Sequence, residues 1–264
     1  MRRDDLAADL ARRRDGDGYV FPAYEDYCFA NVPGAVYDLL GVDVGPTLPD
    51  DAFDTDATGR ADATASAGAS AGVGDGVERV VVVLVDGFGY DQWRQHVDAA
   101  DRGFLPDVEE TGTVTPLTSI FPSETASAIT TYHTARTPRE HGIHGWFQHV
   151  PGVDDVIEVF PFTTMDGRPM TEVHPEFTRE DLFLAREHYD RTVERSVTTR
   201  KVVPEGIAAG DGRATGYADL DGFAEELGRV VDASPTPSVT FAYLPQIDAA
   251  AHEVGTEAAE YREA

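Results

Sequence analysis

The sequence predicts an α/β protein organised around a central, mostly parallel sheet flanked by helices. Arg79 to Val85 is an almost purely β-branched run that stops at Asp86-Gly87, the pattern of a strand buried on both faces. Ser238 to Leu244 reads as a second strand, ending at Pro245 and Asp248. Between them, strand patterns alternate with helical ones, as crossover-connected parallel strands require.

Each element follows from its own residues. Leu6 to Arg14 has amphipathic helical spacing, Tyr24 to Tyr27 reads as loop, and Val36 to Gly41 reads as a helix closed by a glycine. From Asp50 to Asp75 the composition turns to Ala, Gly, Asp, Ser and Thr, with no aromatic residue after Phe53. Residues 50–77 are therefore expected to be a solvated linker or surface insertion, in preference to an interaction tail. Thr113 to Thr118 predicts a short strand, and Phe121-Pro122-Ser123-Glu124-Thr125 leads into a helix from Ala126 to about His133. Prolines 151, 161, 169 and 175 make residues 147–180 an irregular cap insertion and not a sheet. A helix near Arg179 to Arg195, strands near Val197 to Val203 and Ala214 to Tyr217, and a helix near Leu220 to Val231 complete the pattern. The implied division is a segment 1–49 packed on a main α/β domain, 78–264.

Against 48 Asp and Glu stand 21 Lys and Arg, with Lys201 the sole lysine, for a formal charge of -27. A chain so acidic repels nucleic-acid polymers, and binding to them is not expected. An apolar fraction of 41% with 13 Phe and 10 Tyr is too rich for a disordered chain. At molar salt the Debye length shrinks to about 3 Å and the self-repulsion largely vanishes. The acidity thus reads as halophilic adaptation, reporting the solvent and not the substrate. Cys28, the single cysteine, excludes an intramolecular disulfide and a cysteine zinc cage, and is expected to be a small buried hydrophobe. Met1 to Leu6 holds no apolar leader core, and no run approaches the ~18 apolar residues of a membrane span. The protein is expected to be cytoplasmic, with no membrane partner.

Two groups of residues carry chemistry. Asp86 and Asp248 both follow strands, where open α/β sheets bind ligands, although turn formation or helix capping accounts for each alone equally well. His252 lies four residues after Asp248, so on a helix the carboxylate and imidazole share a face and can hold one metal ion. The second group is Thr118 to Ser127, followed by Pro138-Arg139-Glu140-His141-Gly142-Ile143. A hydroxyl in the first turn of a helix lies near free N–H groups and the positive end of the dipole, which favour a phosphate and a developing oxyanion. Helix capping is the simpler local account of Ser123 and Thr125.

Val85-Asp86-Gly87, Phe-Pro-Ser-x-Thr at Phe121 to Thr125, His141-Gly142 and Pro245-x-x-Asp248-x-x-x-His252 stand in the order used by the alkaline phosphatase superfamily. The chain most closely resembles its type I phosphodiesterase/nucleotide pyrophosphatase branch, over about Arg79 to Gly255. The resemblance implies an alkaline-phosphatase-like α/β fold and hydrolysis of phosphodiester or pyrophosphate bonds in a small phosphate ester or nucleotide. It implies two divalent metal ions, zinc with manganese or magnesium as alternatives, and a covalent phospho-enzyme. It assigns Thr125 as the nucleophile, over Thr118, Ser119 and Ser123, because the family's nucleophile stands sixteen residues before its His-Gly pair, here His141. Asp86 resembles a ligand of the ion that also binds Thr125, and Asp248 and His252 resemble ligands of the other ion. His141 is implied to be architectural, and His133, His144 and His149 ordinary packing or surface residues.

The chain departs from the family at three places. Ala135 replaces the glycine that usually ends the nucleophile helix, and His144-Gly145-Trp146 stands where many relatives carry a phosphoryl-binding asparagine. No Asp-His dipeptide is present, although the family completes its ions with one and with a later histidine. The expectation is a truncated frame, the intact protein being roughly 100 or more residues longer. A phosphate monoesterase on the same scaffold is the alternative activity, with Trp146 and the cap selecting the leaving group. An inactive fragment with at most metal or partner binding is the non-enzyme alternative.

Overall fold

A computed structural model describes residues 2–53, 77–100, 102–208 and 211–263. In chain order it holds α1 (Asp4–Ala11), α2 (Val32–Asp38), β1 (Arg79–Val85), α3 (Tyr90–Ala99), α4 (Phe104–Thr111), α5 (Thr125–Thr134) and α6 (Pro138–His141). Strands β2 (Phe147–Val150), β3 (Asp155–Glu158) and β4 (Thr163–Thr164) follow, then α7 (Met170–Val173), α8 (Arg179–Leu182) and α9 (Tyr189–Glu194). Next come β5 (Thr198–Pro204), α10 (Glu205–Ala208), β6 (Ala214–Tyr217), α11 (Leu220–Ala233), β7 (Ser238–Leu244), α12 (Gln246–Val254) and α13 (Ala259–Glu263). The expected linker, residues 50–77, lies almost entirely outside the described residues. No helix among the described residues is long and apolar enough to cross a membrane.

The chain forms two units, one of Met1–Asp9, Asp50–Pro116 and Val197–Ala264, the other of Leu10–Pro49 and Leu117–Ser196. The first unit is built on a parallel sheet of order β1-β7-β5-β6, with helices between successive strands, as the alternation in the sequence predicts. β7 is central, and Val239, Phe241, Ala242 and Tyr243 are buried. One stripe of α11, Phe223, Leu227 and Val230, covers Val202, Tyr217, Ala242 and Leu244. Asp219 starts that helix, its Oδ1 accepting from Gly222 N at 2.8 Å.

The expectation that the Arg79–Val85 run is buried on both faces does not hold. Among the described residues β1 is an edge strand with alternating exposure, and Val81 and Val83 are 43% and 45% exposed. Apolar continuity announces a strand but does not say how many neighbours it has. Two strands away, Lys201 is buried on β5, its Nζ 2.8 Å from Asp211 Oδ2. Burial raises the Asp211 carboxyl, but the Lys201 hydrogen bond and charge outweigh it, so the group ends below the usual carboxylate range.

The strand expected at Thr113 to Thr118 is also absent. Only single bridges form, Val114 to Arg2 in the first unit and Thr118 to Cys28 in the second. Pro116 lies between them and has no N–H to give to a ladder.

In the second unit, the expected irregular cap contains an antiparallel sheet, β2-β3-β4. Pro151 and Pro161 fall in its turns, so they bound the strands without breaking them. Its core joins Ile157, Val159, Met170 and Leu182 to Ile143 and to Ala126 of α5. The helix expected from Arg179 to Arg195 is interrupted, because Leu184 N donates to His141 O at 3.0 Å and His188 N to His133 O at 3.0 Å. Cys28 is fully buried beside Ala30 and Ile120, the small hydrophobe expected, and burial pushes its thiol pKa up.

Candidate functional site

The carboxyl ends of β1 and β7 set one group of residues. Asp86 N donates to Leu244 O at 2.9 Å, carrying the parallel ladder one residue past β1. The Asp86 carboxylate is held on both sides: Oδ1 accepts from Gly87 N at 3.1 Å and Oδ2 from Tyr243 Oη at 2.8 Å. Gly87 has φ +73°, and a Cβ there would lie 2.6 Å from Asp248 Cα. Glycine therefore lets the loop after β1 touch the first turn of α12. Tyr261 Oη donates to Gly87 O at 2.6 Å and pins the same peptide.

Asp248 and His252 share a face of α12 as predicted, with His252 Nε2 3.5 Å from Asp248 Oδ2. The histidine side chain is 81% exposed and the aspartate half-buried at 32%. Burial and then the charge of Asp86 raise the Asp248 carboxyl, while His252 acts in the opposite sense. Asp86 and Asp248 thus repel each other across adjacent strand ends. Burial, followed by the neighbouring Asp86 charge, also raises the Tyr243 phenol far above its ordinary value, so it remains a hydrogen-bond donor.

Two mutually repelling carboxylates with one imidazole are the oxygen and nitrogen donors that a small divalent cation takes, and a cation would relieve the repulsion. Their chemistry fits such an ion. Among the described residues, no three His, Cys, Asp or Glu side chains gather around one point.

Thr125 belongs to the second unit, where it is the first residue of α5 and half-buried. Neither Ser123 nor Thr125 caps the helix. The cap is Glu124, whose Oε2 accepts from Ala126 N at 2.8 Å and Ser127 N at 3.3 Å. The first-turn N–H groups expected to be free for a phosphate are therefore taken, at Ala126 and Ser127, by a side chain already in place. Ser123 Oγ donates to Ser119 Oγ at 2.8 Å. Thr118 Oγ1 is buried, accepting from Ala23 N at 2.8 Å and donating to Tyr27 O at 3.1 Å.

His141 is fully buried behind α5, with Nδ1 accepting from Ile143 N at 3.1 Å and Nε2 3.0 Å from Thr131 Oγ1. Burial, and then the charge of His144, lower its pKa to about 4. The next residue, Gly142, turns the chain at φ +83°. The pair is architectural, as the resemblance implies. Ala135, in place of the usual glycine, adopts the left-handed conformation at the C-cap of α5, with φ 51°. His133 is buried with Nδ1 2.7 Å from Tyr189 Oη, and His149 is a surface partner of Asp154.

Sequence reasoning missed Glu124, Tyr243 and Tyr261. Glutamate is not among the favoured N-caps, and a tyrosine inside an apolar strand pattern carries no sign of what its hydroxyl meets.

A family model described as Type I phosphodiesterase / nucleotide pyrophosphatase matches residues 80–264. No curated protein and no solved structure gives a significant match.

Proposed function

The chain belongs to the type I phosphodiesterase/nucleotide pyrophosphatase family, and from that premise we propose a metal-dependent hydrolase that cleaves phosphodiester or pyrophosphate bonds in a small phosphate ester or nucleotide through Thr125. The observation that carries the reading is the family match over residues 80–264, a segment that includes Asp86, Asp248 and His252 at the carboxyl ends of β1 and β7. In this reading Asp86 would be a ligand of one ion, and Asp248 and His252 would be ligands of the other. Tyr243 and Gly87 N orient the Asp86 carboxylate, as outer hydrogen bonds orient metal-binding groups elsewhere. When bound, divalent ions, zinc by preference with manganese or magnesium as alternatives, would supply charge neutralisation at phosphoryl oxygens.

Thr125 Oγ gives its proton to solvent water and bonds to phosphorus while the bond from phosphorus to the leaving oxygen breaks, and that proton offsets the one the leaving oxygen takes up. The leaving oxygen takes a proton from water. A second water then cleaves the threonine–phosphate ester, restoring the hydroxyl and releasing the phosphorylated product. The Thr118 hydroxyl is buried and both accepts from and donates to backbone groups, which argues against Thr118 as the nucleophile.

The test is hydrolysis of bis(p-nitrophenyl) phosphate and p-nitrophenyl phosphate in molar salt with zinc or manganese. Thr125→Ala is expected to lower kcat by about a thousandfold or more while the fold, followed by circular dichroism, persists. Full turnover in that variant, or its loss only in Ser123→Ala, would overturn the assignment. The ratio of diester to monoester rates separates the two alternative activities.

A further inference from the structure

We propose that Glu124 is a positioning residue whose single carboxylate locks the first turn of α5 to the backbone of Trp146, so that Thr125 and Trp146 are held as one rigid piece. For its effect on turnover this rests on the reading of Thr125 above; for its geometry it rests on the second unit alone.

The carboxylate has two ends with different tasks. Oε2 accepts from Ala126 N and Ser127 N at 2.8 and 3.3 Å, and Oε1 accepts from Trp146 N at 2.7 Å. Trp146 is fixed on its other side, because its carbonyl accepts from Val159 N at 2.8 Å and its ring meets Phe160 edge-on at 5.7 Å. Ser127 Oγ adds a parallel tie to Ile143 O at 2.8 Å. Thr125 follows Glu124 directly, so the clamp sets the backbone from which the threonine hydroxyl is presented.

Glutamate suits this place for a chemical reason. An ionised carboxylate accepts at both oxygens, whereas the amide of glutamine turns a donor toward one of the N–H groups. Aspartate caps helices well but is one methylene shorter. It keeps the bonds to α5 and gives up the reach to Trp146, which separates capping from clamping.

Trp93 and Trp146 are the two tryptophans of the chain, so Trp93→Phe leaves Trp146 as the sole fluorophore of that type. In that background Glu124→Asp is expected to fold, to shift Trp146 emission to longer wavelength and to increase its quenching by acrylamide. With bis(p-nitrophenyl) phosphate it is expected to lower kcat about 10- to 100-fold with KM within about threefold, as displacement of a reacting group does. The pH dependence of kcat is expected to keep the shape it has in the parent, since Glu124 transfers no proton. Glu124→Ala should show the same emission shift, with a lower melting temperature from the lost cap.

Unchanged emission in Glu124→Asp overturns the clamp. A shifted emission with unchanged kcat overturns the positioning role. A changed shape of the pH dependence without an emission shift would make Glu124 a participant in chemistry and also overturn it. Absence of phosphodiester turnover in the parent protein removes the proposed function instead, and the clamp then stands or falls on emission alone.

Discussion

His141 shows how a residue that looks catalytic by type serves the fold. It is fully buried, with both ring nitrogens in hydrogen-bond reach of the chain around it, and its pKa is lowered to about 4, first by burial. An unfolded chain protonates this ring near pH 6.5, so acid stabilises the unfolded state first. The contribution of His141 is whole above about pH 6.5 and is lost as the pH falls toward 4, by about 3 kcal/mol in all. Denaturant unfolding at pH 7 and pH 4.5 should show this loss, and His141→Gln should flatten it. An equal pH slope in that variant would assign the acid sensitivity elsewhere. Asp86 was legible at this scale because it stands directly after an apolar strand, and Asp248 with His252 because their spacing matches one helical turn. Glu124 was not, since its role depends on Trp146, which the sequence places 22 positions away.

At the scale of elements, β1 and β7 are legible in the sequence with the bounds the structure shows, yet the two strands differ in burial. β7 has partners on both sides, β1 on one, and Val83 pairs in register with the buried Ala242 while itself 45% exposed. Phe241→Ala in the central strand is expected to cost about 3–4 kcal/mol, from the lost burial of the ring and the cavity left behind. Val83→Thr on the edge is expected to cost less than about 0.5 kcal/mol, as surface changes do. Chemical denaturation of both variants checks the contrast, and equal losses would mean that β1 is covered in solution. The small sheet β2-β3-β4 is not legible in the sequence because its strands are short and proline-flanked, a composition shared with loops. The break between α8 and α9 is likewise hidden, because Leu184 and His188 donate to carbonyls far along the chain and not to their own helix.

For the whole molecule the governing property is a formal charge of -27 on 264 residues. Self-repulsion of that size weakens the folded state in dilute buffer and is screened within about 3 Å at 1 M salt. The melting temperature is expected to rise by several degrees or more between 0.1 M and 3 M potassium chloride, and a flat profile by calorimetry would show that the charge is balanced locally. By itself the sequence determined the α/β class, the two long parallel strands, the family and the candidate residues at strand ends, because periodicity, strand termination and motif order are local properties of the chain. Only the tertiary structure decided that β1 is an edge strand, that Asp86 is held by Tyr243, and that Glu124 occupies the N–H groups of Ala126 and Ser127. Those are facts about which distant groups meet, and burial and hydrogen bonding between distant residues are fixed by packing and not by sequence spacing.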